Sequence, residues 1–207
     1  PLKDLNPTER FPFVTVGLIA ANAIVFVYEL TLGSALNGFV AAYGMVPYEI
    51  TRFADLVGSG GETPIEHAPG PPLIHLTLLT SMFLHGSFGH IFFNMFALWM
   101  FGTEIEYNLG TRRFARFYIL SGLAGAILTL IVKSSQMAPM IGASAAVYGV
   151  LVAYWISFPN RYLYIWFLFP VMVKWAIPGL LLLGFLFGGP NTAHFAHLGG
   201  ALFGLIY

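Results

Sequence analysis

The chain contains no cysteine, which excludes disulfides and thiolate catalysis and leaves its redox compartment open. It is also short of charge. Only 9% of its 207 residues are Asp, Glu, Lys or Arg, against about 25% in an ordinary soluble domain. A surface that charge does not cover faces something other than water. With 57% hydrophobic residues and a strongly positive mean hydropathy, lipid is the simplest candidate. Nine basic residues balance nine acidic ones, so charge gives no basis for a nucleic-acid partner. The first apolar run lacks the short basic start and processing site of a cleavable signal. Internal repeats are absent as well, which removes the usual mark of a transporter built from halves.

What is present is a series of apolar segments. A helix that spans a bilayer needs about 20 mostly apolar residues, and Phe11–Leu32 fits, with Glu29 near its end. Residues 33–87 do not fit: they hold Arg52, Asp55, Glu62, Glu66, several prolines and the Gly58-Ser-Gly-Gly61 run. This stretch reads as a long first loop with a short apolar part at Leu73–Leu84. Further spans are expected at Phe88–Ile105, Phe114–Val132 and Gly142–Phe158. Tyr162–Phe187 is interrupted by Pro170, Lys174 and Pro178, and reads as an interfacial stretch with a span starting at Trp175. Tyr162, Tyr164 and Trp166 there suit the headgroup region. A sixth span begins at Thr192 and stops at Tyr207. The expected fold class is therefore all-α, a polytopic bundle of six transmembrane helices forming one domain over 1–207. Because the chain starts at Pro1 and stops within an apolar segment, it reads as the core of a longer protein, cut at both ends.

Basic residues orient the bundle. With the amino end inside, Lys3, Arg10, Arg112, Arg113, Arg116, Arg161 and Lys174 are cytoplasmic, and of the nine Lys and Arg only Arg52 and Lys133 lie outside. The first loop is then exoplasmic. Spans two, four and six all start from that face, so polar residues near Phe88, Gly142 and Thr192 converge at one depth. The expected address is a bacterial cytoplasmic membrane, with the amino terminus cytoplasmic.

Polar side chains are costly in hydrocarbon and demand a functional reading. Ser144 follows Gly142-Ala at the start of the fourth span. A serine hydroxyl needs a base to become a nucleophile, and a helix amino terminus favours a nearby oxyanion. Ser is also a favoured helix cap, so this signal alone is ambiguous. His197 alters the balance because it shares a helix face with Gly200 and Gly204. Small residues four apart let membrane helices approach closely, and Ala145, Gly149 and Ala153 form a matching ridge on the fourth span. Packing of the two ridges brings His197 toward Ser144, with Tyr148 one turn below placed to stack on the imidazole. The competing readings are a water-exposed His197 and His194 as the base.

His90 and Asn94 share a face of the second span and can donate toward an oxyanion. Interhelical hydrogen bonding is the plainer use of both. A zinc site from His85, His90, His194 and His197 is conceivable, but no carboxylate accompanies them outside the long loop and there is no His-Glu-x-x-His helix. Glu104 and Glu106 end the second span, where pairing with Arg112, Arg113 and Arg116 is expected.

His90-xxx-Asn94, Gly142-x-Ser144, Tyr148 and His197-xx-Gly200-xxx-Gly204, with His85-xxxx-His90 and Glu106-xxx-Gly110, make the chain resemble the rhomboid intramembrane serine proteases from about Phe11 to Tyr207. The resemblance implies a water-filled cavity open to the exoplasmic side and a Ser144–His197 dyad without an acid member. It implies oxyanion donors from His90, Asn94 and the Ser144 backbone N–H, with Gly142, Tyr148, Gly200 and Gly204 in support, and a lateral gate formed by the fifth helix and the loop after it. The implied substrates are transmembrane protein segments, reached within the lipid; no cofactor or metal is required. Two departures stand out. Ala145 follows the serine where many relatives have Gly, and Leu76-Thr77 replaces a Trp-Arg pair of the first loop. The alternatives to a protease are a membrane protein that binds helices without cutting them, and a transporter or channel.

Overall fold

The computed structural model describes residues 11–53, 70–165, 168–187 and 193–207. Lys3, Arg10, Asp55, Glu62, Glu66, the Gly58–Gly61 run, Trp166 and the Thr192 start of the sixth span lie outside the described residues.

The first apolar run forms α1, Phe13–Thr31. Its buried residues include Thr15, Asn22 and Glu29, spaced by seven so that one polar stripe runs down a single face. Pro12 precedes α1 without a capping side chain, leaving the first N–H groups orphaned. Glu106 supplies the acceptors, taking the Val14 and Thr15 N–H groups at 3.0 and 2.8 Å and the Thr15 hydroxyl at 2.8 Å. The carboxylate also complements the positive end of the helix dipole. This corrects the expected pairing of Glu106 with the arginines of the following segment. Glu104 departs likewise, since its carboxylate meets Arg161 at 2.7 Å.

The described parts of the first loop are ordered around short helices. These are α2, Leu36–Tyr43, and α3, Pro47–Arg52, then a limb made of α4, Thr77–Thr80, between 3-10 turns at Ile74–Leu76 and Ser81–Phe83. Backbone pairs tie this loop to the segment before Ser144: Met45 and Met140 exchange hydrogen bonds of 3.0 and 2.8 Å, and Tyr48 N–H donates to Gln136 at 3.0 Å. Thr80 donates to the Tyr43 carbonyl at 2.6 Å.

After an 82° bend, the second apolar run forms α5, Phe88–Ala97, a π-helical turn at Leu98–Gly102 and α6, Thr103–Leu109. Helix α7 follows at Thr111–Val132 and α8 at Ser144–Ser157. Arg161 also stacks on Phe158 at 4.0 Å.

The fifth apolar segment differs from the all-helical expectation. Tyr162–Ile165 (β1) and Phe169–Met172 (β2) pair antiparallel, with Tyr162 opposite Met172 and Tyr164 opposite Pro170. Aromatic and β-branched residues favour strands, and Pro170 is tolerated because a two-stranded hairpin has only edges. Helix α9 then begins at Val173, two residues before the expected Trp175, and runs to Phe187 through Pro178. The last helix, α10, is His194–Ile206.

By length and composition α1 and α7 suffice to cross a bilayer, and the bent α4–α6 pair makes a third candidate. Helices α8, α9 and α10 are apolar but only 14, 15 and 13 residues long, so length by itself does not establish six spans. Helix α8 measures about 21 Å at 1.5 Å per residue, well short of the roughly 30 Å hydrocarbon layer. The aromatic core centres on Phe114, Phe117 and Tyr118 of α7, packed with Leu98, Ile105, Ala146 and Val150. Helix α10 lies against both α7 and α8, and that three-helix contact places the candidate site.

Candidate active site

Ser144 enters the site through the geometry of Gly142. This glycine adopts φ +115°, a conformation that side chains rarely tolerate. A Cβ there would stand 2.6 Å from the His90 ring, so the glycine also lets the imidazole approach the chain two residues before the serine. The Gly142 N–H donates to the Ser81 carbonyl at 2.8 Å, fixing the segment to the limb of the first loop. Ala143 takes the cap position of α8 with no side-chain cap bond, and Ser144 is the first helical residue. The serine hydroxyl is therefore not spent on capping.

Instead, Ser144 Oγ lies 2.7 Å from His197 Nε2. The approach depends on side chains that are missing. A Cβ on Gly200 would collide with the Ala145 carbonyl group, and one on Gly204 would stand 2.6 Å from the Gly149 carbonyl oxygen. The α8 and α10 backbones thus touch along Ala145 and Gly149 on one side and Gly200 and Gly204 on the other. Tyr148 stacks on His197 with ring centres 4.2 Å apart and planes 13° from parallel. The Tyr148 hydroxyl in turn reaches the backbone of Gly184 on α9, where an added Cβ would overlap it. His194 contacts the edge of the Phe185 ring and makes no comparable approach to the serine among the described hydrogen bonds.

The second span brings three polar residues, His85, His90 and Asn94, close together. His90 faces Gly142, while its backbone N–H donates to the Ser87 hydroxyl at 3.2 Å, the N-cap of α5. Asn94 is buried, and its amide Nδ2 lies 3.3 Å from His85 Nε2. The His85 and His90 rings meet edge to face at 4.9 Å. His90 therefore flanks the serine segment, and Asn94 is held by His85. A small cavity of about 30 Å³ opens beside Ser144, lined among others by Ser81, Met82, Met140, Gly142 and Ala196; it has room for one or two waters.

Sequence reasoning missed the contribution of α7. Ser121 donates to the Gly200 carbonyl at 3.2 Å, and Gly125 and Gly199 abut the Ala196 and Ala124 carbonyl oxygens respectively. The Ser121-Gly-Leu-Ala-Gly-Ala126 run of small residues was the available signal. It also missed Glu29, whose carboxylate accepts the buried His85 N–H at 3.2 and 3.3 Å.

Comparison with known proteins places the chain in a family. A family model described as the Rhomboid domain matches residues 75–207. The chain is 33% identical over 146 residues to Rhomboid protein 1, mitochondrial, of Saccharomyces cerevisiae, covering 64% of this chain and 40% of that protein. It is 33% identical to Presenilin-associated rhomboid-like protein, mitochondrial, of Rattus norvegicus, covering 67% of this chain and 39% of that one. RHOMBOID-like protein 12, mitochondrial, of Arabidopsis thaliana is 32% identical, with 60% and 43% covered. The chain thus spans about two fifths of the length of these relatives. All three names place those proteins in mitochondria, which runs against the bacterial cytoplasmic membrane expected for this chain; the membrane itself is what carries over.

Proposed function

The chain belongs to the rhomboid family, and on that premise we propose that it is an intramembrane serine endopeptidase cleaving transmembrane segments of other membrane proteins. The observation that carries this reading is the 2.7 Å approach of His197 Nε2 to Ser144 Oγ, made inside an apolar helical bundle. A half-buried hydroxyl beside an imidazole within hydrogen-bond reach is the arrangement of an activated nucleophile.

In the proposed reaction, Ser144 Oγ attacks the carbonyl carbon of the scissile peptide while His197 Nε2 takes the hydroxyl proton. The carbonyl oxygen becomes an oxyanion. His90, Asn94 and the Ser144 backbone N–H, orphaned at the start of α8, are the donors assigned to it. As the C–N bond breaks, His197 returns the proton to the leaving amine, and the amino-terminal fragment stays, through its carbonyl carbon, as an ester on Ser144. Water then attacks that ester with His197 again accepting a proton, releasing the acid and restoring the serine. Tyr148 holds the imidazole plane by stacking, and the small cavity beside Ser144 can store the water.

The proposed membrane arrangement has six spans, with α8, α9 and α10 as short spans that end in a depression on the exoplasmic side. A serine at the start of a 14-residue helix supports this arrangement, in which the chemistry lies below the membrane surface and water collects over it. Helix α9 is the proposed lateral gate; its Gly184 and Phe185 already touch Tyr148 and His194.

The test is covalent. A fluorophosphonate probe reacts with activated serines and leaves a phosphonyl group on Oγ. Labelling of the liposome-embedded protein should map to Ser144, vanish in Ser144→Ala and fall at least tenfold in His197→Ala. Labelling that persists at equal strength in His197→Ala would contradict a base role for that histidine.

A further inference from the structure

Glu29 is a carboxylate set in an apolar spanning helix, and the reaction proposed above does not use it. It is 2% exposed. Ionisable groups at such positions are expensive and are retained where something depends on them. Its two carboxyl oxygens both accept the backbone N–H of His85, at 3.3 and 3.2 Å. That N–H sits in the bend between the Ser81–Phe83 turn and α5, where the chain turns by 82°. A bend at membrane depth leaves backbone donors that neither helix nor water can satisfy. Glu29 satisfies this one with both of its oxygens.

The bend carries the site. His85, 3% exposed, places its Nε2 3.3 Å from Asn94 Nδ2 and its ring edge to face with His90 at 4.9 Å. On the other side of the bend, the Ser81 carbonyl holds the Gly142 N–H at 2.8 Å. Helix α1 is thus fastened at one end by Glu106 on its own N-terminus and at the other by Glu29 on the residue that orients Asn94. We propose that Glu29 is a positioning residue for the oxyanion donors: it fixes the His85 backbone, His85 fixes the Asn94 amide, and α1 thereby sets the geometry of a site to which it contributes no reacting atom. The proposal rests on the protease reading for its consequence in rate, but its structural content stands apart from it.

The experiment has two arms on the whole protein in liposomes. In the first, hydrogen exchange is followed on peptides covering residues 84–94 in wild type, Glu29→Gln and Glu29→Leu. Exchange in that segment should accelerate in both variants, more in Glu29→Leu, while peptides from α7 and α8 hold their protection. Unchanged exchange at 84–94 overturns the proposal whether or not the protein cleaves anything. The second arm measures cleavage of a membrane-embedded segment. Glu29→Gln keeps one of the two acceptor oxygens and should lower kcat roughly tenfold with KM unchanged. Glu29→Leu should approach the loss of Asn94→Ala, about 100-fold or more for a missing oxyanion donor. Combined with Asn94→Ala, Glu29→Gln should cost nothing further. Losses that multiply in the double variant would make Glu29 a structural tether only, and overturn the positioning role. Absence of cleavage by wild type would count against the protease reading and leave the exchange arm to decide the tether.

Discussion

Replacing Gly200 with alanine adds one methyl group where the backbone of another helix already stands. The new Cβ would overlap the Ala145 carbonyl oxygen and lie 2.7 Å from its carbon and 3.2 Å from the Ala145 Cα. These are backbone atoms of α8 and cannot swing aside, so α8 and α10 must part by roughly 1 Å to recover ordinary contact. His197 rides on α10 and Ser144 on α8, and their 2.7 Å approach would open beyond hydrogen-bond reach. A misplacement of this size costs about 100-fold in rate, while overpacking of the helix pair destabilises by about 1–3 kcal/mol. The control is Gly17→Ala on α1, where an added Cβ meets nothing within 4 Å. Cleavage of a liposome-embedded segment and thermal unfolding in detergent should both fall for Gly200→Ala and neither for Gly17→Ala. Wild-type cleavage by Gly200→Ala, with unfolding unchanged, would refute the claim that backbone contact of α8 and α10 sets the site.

Three further outcomes are expected. Gly142→Ala places a side chain at φ +115° and against the His90 ring; cleavage should drop by about 100-fold or more, and probe labelling of Ser144 with it. Tyr148→Ala removes the ring stacked on His197 and should lower kcat by about 2- to 10-fold, the scale of one aromatic pair, whereas Tyr148→Phe keeps the stack and should cleave faster than Tyr148→Ala. Glu106→Ala strips the acceptors from three donors at the start of α1; unfolding should show a loss of about 1–3 kcal/mol, and an unchanged transition would count against Glu106 as the anchor of that helix.

The parts of this molecule that repeat along one helix were legible before the structure. Gly200 and Gly204 on one apolar segment and Ala145 and Gly149 on another announce a close helix pair, because only small residues at that spacing allow it; the structure has those ridges in contact. The stack of Tyr148 on His197 follows from the same register. Partners of buried carboxylates were not legible. Glu106 was expected to pair with nearby arginines, but the orphaned N–H groups of α1, distant in sequence, claim it, and Arg161 claims Glu104. Likewise, Glu29 and His85 meet only because the chain bends by 82° at a place that periodicity does not mark. The Tyr162–Met172 hairpin was hidden for another reason: a short run of aromatic and branched residues fits an interfacial stretch and a strand pair equally well. The third helix of the site, α7, carries its small residues at Ser121, Gly122, Gly125 and Ala126, a pattern visible in the sequence once α8 and α10 are seen to need a neighbour.

The most direct test of the central claim is cleavage of a transmembrane segment, reconstituted in liposomes, by wild type, Ser144→Ala and His197→Ala, with folding of each checked by thermal unfolding. The account predicts cut product from wild type and none from either folded variant. Cut product from Ser144→Ala would contradict it.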